Sequence, residues 1–272
     1  MSNELYEKVE SESAFGALNH IVTRLPEPFL LLGGWAVYVT VNDSYQDEHG
    51  SQYLGSRDID VCFHIDPNVD ESELRDSTFA KAIAIIQEIG YLPHGSCRYC
   101  KMMRRENRKT VTECDARKIP IHELFYLYVD MMVDNIHPMQ KKVFGFNVLD
   151  EPTLGRVFDE GTGVLINFDG LEILIPPPYI LLATKLRSIP HRTKDDKLVK
   201  DACDIYSILW HSPASYKKIL ADIQSQYPED CKTGFNAITK EISEKAAFHL
   251  GIDVERYRDV IKPLDGEKII ND

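Results

Sequence analysis

Two aspartates, Asp58 and Asp60, stand either side of one apolar residue in the run Gly55-Ser56-Arg57-Asp58-Ile59-Asp60-Val61-Cys62-Phe63. A β-strand sends residues i and i+2 to the same face, so this run predicts two carboxylates side by side with Ile59 in the core. Carboxylates about 4 Å apart repel by roughly 4 kcal/mol at an effective dielectric of about 20. A proton on one of them, or a cation between them, removes that cost. Hard oxygen donors with few neighbours suit Mg²⁺, which takes one or two carboxylates together with substrate phosphates. A second stretch, Leu31-Leu32-Gly33-Gly34-Trp35-Ala36-Val37, sets two glycines at the end of an apolar run. Lacking Cβ atoms, they let backbone N–H groups approach a phosphate. Each signal is weak alone. In this order they describe a site for a cation and a phosphate, against the plainer reading of a half-buried strand with two solvated aspartates.

Further acidic residues occur where a charge needs a partner. Ile121 to Val133 is β-branched and aromatic, which marks a central strand, and Asp130 within it requires a cation or a hydrogen bond. Asp134 shares its predicted face and is the second choice. Asp201 and Asp204 lie three apart beside the apolar stripe Leu198, Ala202, Ile205 and Leu209 of a predicted helix over 197–210. Lys185 and Arg192 are their candidate partners, and an interhelical ion pair is the plain account of that group.

Two other clusters carry alternatives. Arg98, Lys101, Arg104, Arg105, Arg108 and Lys109 form the most basic stretch of the chain. It reads either as a charged edge hairpin or as a surface that follows phosphates. Cys97-x-x-Cys100, with Cys114 and His94 or His122, suggests zinc, but i and i+3 face opposite sides of a strand and no second Cys pair follows. The remaining histidines show no metal-ligand spacing on any helix.

The elements that must position these residues follow from periodicity. Apolar spacing predicts a helix over Glu4–Leu25, ended by Pro26 and Pro28. Phe29–Leu32 reads as a buried strand and Trp35–Val41 as the helix after the glycines, with Trp35 a packing residue. Asn42–Ser56 reads as a polar loop. Glu71–Gly90 predicts one helix with Gly90 as its stop, and Lys142–Val148 a further β-rich run. Val164–Phe168 and Leu171–Ile175 alternate around Asp169-Gly170, a strong hairpin signal. Pro176-Pro177-Pro178 then punctuates the chain, and helices are predicted thereafter, with a polar, loosely held tail over 255–272. The expected organisation is a core domain over 1–176 and a helical C-terminal domain over 177–272.

A chain of 272 residues with net charge −12 suits one large or two smaller folded units and argues against broad adhesion to nucleic acid or anionic membrane. No apolar run approaches the roughly 20 residues of a membrane span. The acidic, polar start is unlike a secretory signal, and six cysteines without framework spacing fit a reducing compartment. A cytoplasmic location is the expectation.

The order Leu-Gly-Gly, then Asp58-Ile59-Asp60 between apolar residues, resembles the signature of polymerase-beta-type nucleotidyltransferases. Lys185-Leu186, Arg192, and Lys200-Asp201 with Asp204-Ile205 resemble the AbiEii/MenA-type branch, the toxins of type IV toxin–antitoxin systems. The resemblance implies an α+β fold: a mixed sheet with flanking helices, then a helical C-terminal region. It implies transfer of a nucleoside monophosphate from an NTP to a hydroxyl, with Mg²⁺ or Mn²⁺. In that scheme Asp58, Asp60 and Asp130 ligate metal, with Asp130 alternatively the base that deprotonates the hydroxyl, Gly33, Gly34, Ser56, Arg57 and Lys185 bind the nucleotide, and Asp201 or Asp204 holds the lysine or helps activate the acceptor. The acceptor is a tRNA end or a small hydroxylated molecule, and an antitoxin-like protein is a candidate partner. Leu54 stands where relatives often carry an arginine. The alternative is a nucleotide- or RNA-binding module that keeps the fold without the chemistry.

Overall fold

The computed structural model describes residues 5–95 and 97–266; the last six residues of the expected loose tail lie outside them. Two compact units emerge, one from Tyr6–Trp35 and Gly55–Pro176, the other from Ala36–Leu54 and the chain from Pro177 onward.

The first unit is built on a mixed sheet. Helix α1 (Lys8–Val22) precedes β1 (Phe29–Leu32), whose four residues are all buried. Helix α2 (Gly33–His49) starts at the glycines, and β2 (Asp58–Phe63) carries the two aspartates. Then come α3 (Glu71–Arg75), α4 (Thr78–Glu88), β3 (Leu92–Pro93), β4 (Arg98–Arg104), α5 (Glu113–Ala116) and β5 (Leu124–Val133). The short α6 (Gln140–Phe144), β6 (Leu149–Asp150) and α7 (Gly155–Asp159) lead to the hairpin β7 (Val164–Phe168) and β8 (Leu171–Ile175). Strand order is β1-β2-β5-β4-β3, with β6 also on β5. β2 and β5 run parallel, and β1 and β4 pair antiparallel to their neighbours.

Alternation in β2 and β5 separates two faces. Ile59, Val61, Val129 and Met131 are buried, while Asp58, Asp60, Tyr128 and Asp130 are half-buried. The apolar face meets α4, where Phe63 and Phe79 make an edge-to-face contact at 5.8 Å, the geometry that aromatic quadrupoles favour. At the β7–β8 turn Asp169 and Gly170 both have positive φ, the pair of angles a type I′ hairpin demands.

Several local expectations change. Asn42–His49 continues α2 rather than forming a loop, because Tyr45 extends the buried i, i+4 row of Val37 and Val41. The 71–90 helix is two helices, since Asp70 and Ser77 each cap a separate start. Lys142–Phe144 is helical, not extended, and Gly145 at φ 81° closes that turn.

Among the described residues the second unit adds six α-helices: α8 (Pro178–Ser188), α9 (Asp195–His211), α10 (Tyr216–Gln226), α11 (Pro228–Ala237), α12 (Lys240–Leu250) and α13 (Val254–Ile261). α9 is its axis and is buried from Val199 to Leu209 on every side, so the stripe read from sequence understates its contacts. Its neighbours are α8, α10, α12 and α13. The expected loose tail is packed as far as Leu264, with Tyr257, Val260 and Ile261 in the core. Among the described residues no helix is long and apolar enough to cross a membrane. The architecture is α+β, a mixed sheet with flanking helices and a helical C-terminal region.

Candidate active site

Parallel pairing sets Asp60 opposite Asp130 and Asp58 opposite Tyr128. Adjacent strands lie about 4.8 Å apart, so three carboxylates gather on the half-buried face. Gly33 ends β1 beside them, at φ 61°. A Cβ at Gly33 would fall 1.8 Å from the Asp60 carboxylate oxygen Oδ2, so a side chain there would have to displace the acid as well as bear the left-handed backbone. The glycine is therefore the reason the Asp60 carboxylate can lie against the turn. Gly34 is the second residue of α2 and is buried.

Arg98, on β4, faces Asp130 across the other edge of β5. Its Nε donates to Asp130 Oδ1 at 2.6 Å and its Nη2 to Oδ2, a two-point fork. The same Nη2 lies 3.8 Å from Asp58, and the guanidinium sits 4.7 Å above the Tyr128 ring. The hydrogen bonds to Asp130, followed by the charges of Asp130, Asp58 and Asp60, push the Arg98 guanidinium above its ordinary range. The face thus gathers three carboxylates, with the Arg98 guanidinium bonded to one of them and 3.8 Å from a second. Its donors are hard oxygens, and the turn beside them lacks a Cβ; both features fit Mg²⁺ or Mn²⁺. Asp58 and Asp60 would hold the ion, with Asp130 next to them.

The other residues named from sequence have more varied settings. Ser56 is buried. Arg57 stacks 4.5 Å over Tyr6 and lies 3.6 Å from Glu10 of α1. Asp134 is fully buried; it accepts from the Ile65 amide at 2.9 Å and pairs with His64 at 2.5 Å. Its role there is to close the end of the strands. Trp35 is buried with its ring 5.7 Å from Phe15. Much of the basic stretch is ion-paired: Arg105 bonds Glu7 and Glu10, and Arg108 bonds Glu12. Cys97 donates to Asn147 O at 2.8 Å and accepts from Leu149 N at 3.0 Å, which ties the thiol to the backbone.

Lys185, Asp201 and Asp204 belong to the helical unit and are brought together there. The Lys185 ammonium is 2.8 Å from Asp201 and 2.7 Å from Asp204. Arg192 reaches Asp201 at 2.6 Å, and Lys200 and the Tyr53 hydroxyl, the latter at 2.7 Å, both bond Asp204. Burial alone would lower the Lys185 pKa, but the two carboxylates reverse this and hold it above its ordinary value. Burial likewise opposes ionisation of Asp201, and Lys185 and Arg192 outweigh it, leaving that carboxyl below its usual range. Sequence reasoning missed Tyr53; it lies 151 residues from Asp204, with no periodicity linking them.

Among the described residues one further group could hold a metal: Glu48, His49 and His211, whose ligand atoms lie within 4.8 Å of one another. Glu48 is already engaged, however. Arg256 approaches one oxygen at 2.5 Å and the Trp210 indole donates to the other at 3.1 Å. A guanidinium, not a metal, balances it. Burial lowers the His211 pKa from 6.5 to about 4; Glu48 acts against this, and His49 and Arg256 reinforce it. The folded state therefore binds fewer protons than the unfolded one, and stability is lost as pH falls from about 6.5 towards about 4. Thermal melts over that range should show the decline, and His211→Gln should flatten it. Equal slopes for the two proteins would refute the assignment.

No protein-family model matches the chain, and a search of curated proteins finds no match. Among solved structures the chain is similar to one described as an antigenic nucleotidyltransferase-like protein from Paracoccidioides brasiliensis. The two are 12% identical, with a TM-score of 0.40, over 84% of this chain and 92% of that one. So distant a likeness bears on no activity of this chain, and the case for one rests on the carboxylate face itself.

Proposed function

We propose that the sheet unit is a metal-dependent nucleotidyltransferase that moves a nucleoside monophosphate from an NTP to an acceptor hydroxyl and releases pyrophosphate. The observation that carries this reading is the gathering of Asp58, Asp60 and Asp130 on one sheet face, with the Asp60 carboxylate lying in space that only a glycine at position 33 leaves open. Asp58 and Asp60 would hold Mg²⁺ or Mn²⁺. An ion held there would supply Lewis-acid stabilisation of the phosphate charge. The chain's own groups do the rest. The Gly33-Gly34 turn admits the phosphates to the backbone N–H groups at the start of α2. Asp130 would receive the proton of the attacking hydroxyl once Arg98 has moved. We assign Lys185, Asp201 and Asp204 a positioning role in the helical unit, since each is held by the others.

A second reading has an observation of its own: the Arg98 fork on Asp130 occupies the carboxylate that would act as base. On that reading the protein binds nucleotide without transferring it. Calorimetry with each NTP, with and without Mg²⁺, and transfer assays with labelled NTPs and either total RNA or small hydroxylated molecules separate the two. Mg²⁺-linked binding with transfer supports the enzyme. Binding without transfer supports the module, and absence of any Mg²⁺-linked affinity refutes both. The RNA arm is a stringent one, because Arg105 and Arg108 are paired with acids of α1.

A further inference from the structure

Arg98 occupies a position that an ordinary surface arginine would not. It heads β4 directly opposite Asp130, engages both of that residue's oxygens, and reaches to 3.8 Å from Asp58 on the far side of β5. The Tyr128 ring beneath it, at 4.7 Å, sits opposite Asp58 on β2 and opposite Cys100 on β4. One guanidinium thus spans carboxylates of two strands while a phenol ring supports its plane. Its side chain is one-third exposed, so it is not locked into the core.

We propose that Arg98 is an exchangeable internal cation: it neutralises Asp130 and Asp58 in the resting protein and competes with the divalent metal for Asp58, the carboxylate common to both. This rests on the metal-site reading above and adds to it a mechanism of activation. A guanidinium 3.8 Å from Asp58 repels a divalent ion held on that carboxylate, so metal entry favours the guanidinium turning away. A planar fork released from a carboxylate matches a phosphate equally well. The incoming triphosphate therefore supplies the anion that Arg98 gives up, and Asp130 becomes available only when nucleotide and metal arrive together. Metal binding and nucleotide binding are coupled through this one side chain, and by linkage the coupling is the same in both directions. No transfer can start from metal alone.

The test is a Mn²⁺ titration of the full chain, read from the free-ion paramagnetic signal, without nucleotide and with a non-hydrolysable ATP analogue. Arg98→Gln should tighten nucleotide-free Mn²⁺ binding by about tenfold or more, the scale on which one neighbouring charge shifts an ionisation. It should also shrink the gain that the analogue brings to the wild type. Arg98→Lys keeps the charge but not the fork and should fall between the two, which tests the idea even if the glutamine variant folds poorly. Unchanged or weaker Mn²⁺ affinity in both variants, with Asp60→Asn still abolishing binding, overturns the exchange and leaves the metal site standing. Mn²⁺ binding that ignores Asp60 and Arg98 alike overturns both.

Discussion

Asparagine in place of Asp60 is expected to lower nucleotidyl transfer by about 10³-fold while leaving the protein folded. The metal's share of transition-state charge stabilisation is worth several kcal/mol, and each 1.4 kcal/mol is about tenfold in rate. Asparagine has the size of aspartate, so it fits the space beside Gly33, where a Cβ would come within 1.8 Å of the Asp60 oxygen. It donates too little charge to hold a divalent ion against water. Stability should not drop, because the change removes one of three acids crowded on a single face. A melting temperature equal to or above that of the wild type, with turnover gone, is the combination to look for. Turnover that survives the substitution would remove the carboxylate face from the chemistry.

Lys185→Met is expected to destabilise the helical unit by about 3 kcal/mol, the low end of the 3–5 kcal/mol typical when one partner of a buried ion pair is deleted. The low end applies because Asp201 keeps Arg192 at 2.6 Å, and Asp204 keeps Lys200 and the 2.7 Å bond from Tyr53. Even so, the loss is a large share of a total stability of about 5–15 kcal/mol. Urea denaturation measures it directly. If Lys185 instead served the phosphates of the nucleotide, the variant would lose activity with little change in its urea midpoint. The two outcomes separate a positioning residue from a ligand.

What could be read in the sequence was whatever a short stretch settles by itself. Phe29–Leu32 and the Asp169-Gly170 hairpin fall where expected, because an apolar run stopped by glycine and a turn that demands positive φ admit few other conformations. The shared face of Asp58 and Asp60 follows from the two-residue period alone. The pairing of Lys185 with Asp201 was foreseeable because Asp201 flanks the apolar stripe of its helix and Lys185 is a cation on the helix before it. Partners set by strand register were not. Arg98 meets Asp130 only because the segment between β4 and β5 has the length it has, and the basic stretch gave no sign of which arginine would face inward. Helix α2 ran on past Val41 because one aromatic, Tyr45, kept to the buried row in a segment whose overall polarity suggests a loop.

Residues 36–54 belong with helices encoded more than a hundred positions later: Tyr45 donates to Leu250 O at 3.1 Å and Tyr53 to Asp204 at 2.7 Å. During synthesis, that segment emerges long before its partners exist. A nascent chain therefore carries Tyr53 without its carboxylate until residue 204 has emerged, and Tyr45 without its carbonyl until residue 250 has, and these two phenols are where a holding chaperone would act.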